Sequence, residues 1–418
     1  MRTIAYLYAA KVLNLHEDHW FVEIPILKVE TLKITDVQVN ICEAEERYKG
    51  IDRMRSCPHG VPGPLKTFGI ARISTDEGIT GYYQIRPSDA DLFIDFVKRF
   101  LIGADPFDKD HILGRFRPVI RRGGEWFPFY GYPMRIVGYA ECCLWDIIGK
   151  TLEKPVYKIL GQCRDKIPAY ASSKHIPTVK ENIEHYMDCI SEGFRAFKLH
   201  PPSTNWVDPE MRRKISWKVD LKVVRELKKL AGDDVTLLFD PVNTYDREVA
   251  LIVGKEIESL GFYVYEDPMP TSDIEGNAKL CADLKIPIML GEQLDDLYKY
   301  AELVRSQATD ILRCILERIG GITPSMKLAH LAELHAMKME PHSFGTQATQ
   351  FAHLQVMMAM ENNDFFETPV PQGTFDTDVI KDVIRIDNEG FVHAPVKPGL
   401  GFEVDEEKLE KRTVKIVK

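Results

Sequence analysis

Two periodicities divide the chain. Between residues 165 and 395, short apolar runs alternate with amphipathic stretches: RAFKLH, TLLFD, FYVYED, IPIMLGE and KMEPHS each close on a polar or charged side chain, and DILRCIL continues the series. Runs that are apolar at every position read as strands covered on both faces, as in a parallel sheet. The stretches between them step at the helical period. In DLKVVRELKKLAG, Val223, Leu227 and Leu230 share a face ahead of Gly232; in DREVALIVGKEIESLG, Val249, Val253, Ile257 and Leu260 do so ahead of Gly261. Glycine just past the last turn is a helix-closing signal. So many βα units in succession predict a TIM-type barrel rather than an open sheet.

The first part of the chain reads differently. LKITDVQVNICEA alternates like an antiparallel strand, FGIARISTDEGITGYYQI reads as two strands around an Asp-Glu-Gly turn, and SDADLFIDFVKRFLIG and GYAECCLWDIIGKTLEKPVYKILG are helical. Strands and helices in blocks predict an α+β domain over residues 31–160. The Gly-, Pro- and Arg-rich segment 44–66 is expected to be a long loop, and loops of that length in compact domains are commonly functional. Residues 1–30 are expected to be a non-cleaved extension, because Lys11 interrupts the apolar run that follows Arg2.

Composition narrows the partners. The 418 residues are 44% hydrophobic and 28% charged, with a formal net charge of −9. No long basic run is present, which argues against nucleic acid and anionic membrane surfaces and leaves a small molecule as the expected partner. No apolar stretch reaches the roughly eighteen residues of a spanning helix. The eight cysteines are scattered without a CxxC pair, as suits reduced thiols in a cytoplasmic protein.

Carboxylate spacing is the sharpest chemical signal. Asp240, Glu266 and Glu292 each close an apolar run, at equal intervals of 26 residues. One βα repeat is about that long, so three successive strands each deliver an acid to the C-terminal rim, where barrel active sites are built. A single acid there is ordinarily a helix cap or a surface charge. Three in phase would repel one another unless a hard divalent cation, Mg2+ by preference, held them together. Asp267 remains an alternative to Glu266. In FKLH, Lys198 and His200 lie two apart and share a strand face, expected to be inward, where a nearby cation would depress the lysine and favour a neutral amine. His342 ends a later strand, opposite Lys198 and His200. Two bases across a metal form a layout for taking a proton from the carbon beside a carboxylate.

With these residues in hand, the chain resembles the enolase superfamily in its mandelate racemase-like branch. The resemblance runs over residues 31–418 through CLWDIIGKTLEKPVYKILGQ with Trp145 and Asp146, FKLH, the three acids, ERIGGIT, EPHSFGT, FFETP and VKPGLGFEVDEEKL. It implies a (β/α)7β barrel over 161–395, an N-terminal α+β capping domain, a segment 396–418 returning to the cap, and a symmetric homo-oligomer. It also implies Asp240, Glu266 and Glu292 as Mg2+ ligands and Lys198 as a substrate-carboxylate contact. His200 then stands where a second lysine base is usual, His342 is base or acid on the other face, and Glu367 is a protonated hydrogen-bond donor to the enediolate.

Two departures bear on the chemistry. His200 replaces a lysine, and Ile315 stands where an aspartate normally orients the histidine, leaving Glu317 as a possible substitute for it. The branch mostly dehydrates sugar acids to 2-keto-3-deoxy acids. Dehydration is the expected activity, with His342, as a protonated imidazole, in the acid role; racemisation, epimerisation or cycloisomerisation is the alternative, and an impaired metal- and acid-binding homologue the third reading. Tyr48, Arg53 and His59 in the 44–66 loop, beside Arg55, are expected to close over a small carboxylate substrate. IRRGGEWFPFYGYP is a second segment expected to line the cap.

Overall fold

The computed structural model describes residues 31–44, 67–114, 132–204 and 216–418. The N-terminal extension, the loop carrying Tyr48, Arg53, Arg55 and His59, and most of IRRGGEWFPFYGYP lie outside these residues.

Strands β1 (Ile34–Glu43), β2 (Thr67–Thr75) and β3 (Thr80–Ile85) form an antiparallel sheet, to which β13 (Thr413–Val417) adds along the free edge of β1. Alternation in β1 sends Val37 and Val39 into the core, and Ile34, which lies before a register shift at Asp36, is also buried; α1 (Ala90–Leu101) and α2 (Tyr132–Thr151) cover the sheet. After α3 (Val156–Leu160) the pattern changes to βα repeats. These comprise β4 (Lys166–Ser172), α4 (Val179–Ser191), β5 (Ala196–Leu199), α5 (Trp217–Ala231), β6 (Thr236–Phe239) and α6 (Arg247–Ser259). They continue through β7 (Val264–Glu266), α7 (Ile274–Asp283), β8 (Ile288–Leu290), α8 (Leu297–Arg305), β9 (Ile311–Leu312), α9 (Ile322–Leu334), β10 (Lys338–Met339), α10 (Gln347–Met358) and β11 (Phe366–Pro369).

The parallel strands follow the order β10-β9-β8-β7-β6-β5-β4-β11, the curled sheet that the repeat count predicts; β12 (Phe391–His393) pairs antiparallel with the start of β4. Between β10 and β11 side chains take the place of a ladder. Ser343 Oγ donates to the Glu367 carbonyl at 2.9 Å and accepts from its N–H at 3.0 Å, while Glu340 accepts from the Asp364 N–H at 2.7 Å and from Asn363 Nδ2 at 3.0 Å. One helical face is set differently from the expectation. On α5, Leu221, Val223, Val224, Leu227 and Ala231 are buried and Leu230 is exposed, because the apolar stripe follows the wider i, i+3, i+4 set.

The α2 helix ties the antiparallel sheet to the barrel. Asp146 accepts from the N–H groups of Tyr82 and Leu400, each at 2.9 Å, and from Lys150 Nζ at 2.6 Å. Glu141 caps α9 by accepting from the N–H groups of Ile322 and Thr323 at 2.7 and 3.0 Å, and it also holds Trp145 Nε1 at 2.8 Å. That cap explains the second glycine of the Gly-Gly pair: Gly321 has φ 110°, and a Cβ there would lie 2.1 Å from Glu141 Oε2.

Candidate active site

Strand register builds the site in two layers. Tyr170, Ala196, Leu238, Val264, Met289 and Ile311 form an apolar plug inside the barrel. Successive side chains on a strand alternate faces, so residues two further along point the same way, at the C-terminal rim. Those residues are Ser172, Lys198, Asp240, Glu266 and Arg313. On β8 the step is broken: Gly291, with φ 127°, fills the place, and Glu292 is delivered one residue later. A Cβ at Gly291 would meet the Arg313 carbonyl oxygen at 2.6 Å, so the tight turn requires glycine.

The predicted residues within the described segments are brought together. Lys198 Nζ lies 2.9 Å from Glu266 Oε2, 2.8 Å from Glu367 Oε1 and 3.3 Å from Asp240 Oδ2. Burial alone would lower this lysine, but Glu266 and Glu367 hold it well above its ordinary value. Its neighbouring carboxylates outweigh its burial and favour the ammonium, whereas the neutral amine expected from sequence requires a divalent cation close by. His200 is better placed as a base. Its Nδ1 lies 2.7 Å from the Ser173 carbonyl, which fixes the proton on that nitrogen and turns Nε2 toward Asp240 Oδ2 at 3.2 Å. His175 stacks on its other face with ring centroids 4.4 Å apart.

His342 stands across the acids, its Nε2 3.2 Å from Glu292 Oε2. Its Nδ1 is buried with no hydrogen-bond partner. Burial pushes it down to about 4, against the pull of Glu292 and Glu367, so at neutral pH the ring is neutral rather than the expected imidazolium. Glu317 does not supply the missing partner. It acts on Tyr83, Tyr139 and Cys142, and its backbone lies against Gly138 of α2, on the side of the antiparallel sheet.

Glu367 also departs from expectation. Lys198 Nζ and Ser172 Oγ donate to Oε1, each at 2.8 Å, and Arg313 Nη2 donates to Oε2 at 2.5 Å. Burial would raise this carboxyl, yet Arg313 and Lys198 hold it well below the usual range, making it an ionised acceptor rather than a protonated donor. Arg313 is the residue that sequence reasoning missed. It is almost fully buried, pairs with Glu266, and its Nε lies 3.3 Å from Glu292 Oε2. The two-residue step from Ile311 was the signal that could have found it.

The donor set suits a hard cation. Asp267 Oδ1 is buried without a hydrogen-bond partner and Glu266 Oε1 is buried against Arg313 Nε, and both carboxyls are raised well above their ordinary values by burial and by neighbouring acids that include Asp240 and Glu292. Of this adjacent pair, Glu266 meets Lys198 and Arg313, while Asp267 Oδ2 accepts from Asn243 Nδ2 at 3.2 Å. As arranged, no three His, Cys, Asp or Glu among the described residues are gathered closely enough to hold an ion; Lys198 and Arg313 stand between the carboxylates.

Comparison with known proteins gives the family. Residues 181–408, more than half of the chain, match the family described as enolase C-terminal domain-like. Arabinonate dehydratase of Saccharolobus solfataricus is 28% identical over 269 residues, 63% of this chain and 68% of that protein. D-galactonate dehydratase of Cronobacter sakazakii is 29% identical over 357 residues, 82% of this chain and 90% of that one. The crystal structure of D-glucarate dehydratase from Agrobacterium tumefaciens, complexed with magnesium, aligns with TM-score 0.79 at 28% identity, covering 92% of this chain and 99% of that one. Rim carboxylates on successive barrel strands, an antiparallel sheet on the barrel and a family match across its βα units make the chain a member of the enolase superfamily, in the mandelate racemase-like branch.

Proposed function

We propose that the protein is a Mg2+-dependent hydro-lyase that dehydrates a sugar acid to a 2-keto-3-deoxy acid. The observation that carries this reading is the placement of two histidines, His200 and His342, on Asp240 and Glu292 respectively, with Glu266 between those acids in strand order. Asp240, Glu266 and Glu292 would hold the cation. When bound, it supplies positive charge to the substrate carboxylate, which makes loss of the α-proton easier.

The chain's own groups account for the proton movements. His200 takes the α-proton on Nε2, the nitrogen left over once Nδ1 is committed to Ser173 and the one that faces Asp240. The ammonium of Lys198 faces the charge that develops on the substrate carboxylate. The β-carbon to oxygen bond then breaks, the hydroxyl leaves as water with a proton that the His342 ring has first taken up from solvent, and the resulting enol becomes the ketone on protonation of its β-carbon. Because the His342 ring is neutral in this structure, the departure of the hydroxyl is the more demanding half of the reaction. Tyr48, Arg53 and His59 are candidates to hold the distal end of the acid, and the partner is a small carboxylate in a cytoplasmic setting.

Incubation of the Mg2+ form with a panel of five- and six-carbon aldonic and aldaric acids, followed by assay for 2-keto products, tests the proposal. A 2-keto-3-deoxy product from wild type and none from His200→Asn is the expected result. Inversion at the α-carbon without loss of water would replace this reading with epimerisation, which the two facing histidines also permit. Absence of any reaction, with Mg2+ bound, would favour an impaired homologue, in keeping with the unpartnered Nδ1 of His342.

A further inference from the structure

We propose that Arg313 is a built-in counter-cation of the acid cluster, holding Glu266 and Glu292 in place when no metal is bound and competing with Mg2+ for them. The inference rests on the reading of these acids as the Mg2+ site.

Arg313 owes its position to register. It follows Ile311 of the apolar plug by two residues, so its side chain rises along the barrel interior into the carboxylate layer instead of toward solvent. A guanidinium has donors and no acceptor, and it keeps its charge in proteins. Here each of its three nitrogens meets an acceptor: Nε approaches Glu266 Oε1 and, at 3.3 Å, Glu292 Oε2; Nη2 meets Glu367 Oε2 at 2.5 Å; and Nη1 reaches the Glu340 carbonyl at 3.4 Å. Two of the three acids proposed to hold the cation are therefore engaged by a charge that the chain supplies itself.

Charge balance gives this arrangement a consequence. Asp240, Glu266, Glu292 and Glu367 bring four carboxyl groups to the rim, while Lys198 and Arg313 bring only two cations to face them. The remainder attracts a divalent cation, yet Arg313 must release Glu266 and Glu292 before such an ion can bind them. Like charges at these separations repel strongly in a buried site. Arg313 accordingly weakens Mg2+ binding, and in return it keeps the metal-free site from being an uncompensated cluster of buried acids.

The test is calorimetric titration of Mg2+ into full-length, chelator-treated wild type, Arg313→Gln and Arg313→Lys, with melting of each metal-free protein. Arg313→Gln is expected to bind Mg2+ at least about tenfold more tightly than wild type. Without metal it should melt several degrees lower, and saturating Mg2+ should restore much of the difference. Arg313→Lys keeps the charge with fewer donors, and its affinity should stay within about threefold of wild type. Unchanged or weaker binding by Arg313→Gln overturns the inference while leaving the Mg2+ site intact. A tenfold change in Arg313→Lys does the same should the glutamine variant not fold. Absence of Mg2+ binding in wild type and variants alike overturns the metal site and this inference together.

Discussion

Arg313 Nη2 donates to Glu367 Oε2 at 2.5 Å, linking the end of β9 to β11 past the intervening β10. The contact closes the rim at the place where backbone pairing between β10 and β11 is replaced by side chains. It also sets the ionisation of Glu367, so the stability of the barrel mouth and its chemistry share the same groups.

The two histidines should fail in different ways. His200→Asn removes the base whose tautomer Ser173 fixes, and a loss of about 10²–10⁴ in turnover is expected, together with loss of α-proton exchange into D2O. His342→Asn should likewise lose product formation but retain exchange, since the first proton transfer does not pass through it. Proton NMR of recovered substrate distinguishes the two variants. Exchange retained by His200→Asn and lost by His342→Asn would reverse their assignments.

Glu340 gives the fold a pH dependence. Burial pushes its carboxyl from 4.5 up to about 7, against hydrogen bonds from the Asp364 N–H and Asn363. A carboxyl that holds its proton more tightly when folded favours the folded state fully below about 4.5, and this advantage is lost as the pH rises toward about 7. Each unit of such a shift corresponds to about 1.4 kcal/mol. Urea denaturation at pH 5 and pH 7.5 should show Glu340→Gln gaining on wild type at the higher pH; parallel behaviour of the two proteins would contradict it.

Gly291 positions Glu292. In Gly291→Ala the new methyl meets the Arg313 carbonyl oxygen at 2.6 Å and Tyr300 Cε1 at 2.7 Å on a backbone at φ 127°. A loss of about 1–3 kcal/mol is expected, with weaker Mg2+ binding because Glu292 must shift. Thermal melting and metal titration check both effects, and an alanine variant with wild-type affinity would show that Glu292 is placed by other contacts.

Ser343 carries the seam. Ser343→Ala leaves the buried N–H and C=O of Glu367 without the hydroxyl that meets both, at 3.0 and 2.9 Å. A loss of about 1–3 kcal/mol should appear in chemical denaturation. Hydrogen exchange at the Glu367 amide should rise with it. An unchanged amide would mean that the seam is held elsewhere.

The sequence made the repeat, the barrel and the rim residues legible through two spacings: a two-residue strand period puts Lys198 and His200 on one face, and a 26-residue interval separates Asp240, Glu266 and Glu292. Arg313 obeys the same period but sits past β9, a strand of only two paired residues, between Leu312 and Cys314, where it reads as an ordinary surface charge. The ionisation of Lys198 and Glu367 was not legible either, since it depends on which acids meet which cations across strands far apart in sequence. Glu317 misled because strand parity fails once the chain turns into a 3₁₀ helix over Leu316–Ile319.

Proton NMR of the Mg2+ form in D2O, with each sugar acid that gives a keto product, reads both halves of the proposed reaction at once. Formation of a 2-keto-3-deoxy acid, with deuterium also entering the α-position of unreacted substrate, is the predicted result: the proton leaves readily to His200, and the hydroxyl departs more slowly. Deuterium at the α-carbon of substrate or its epimer, with no keto product from any acid, would contradict dehydration.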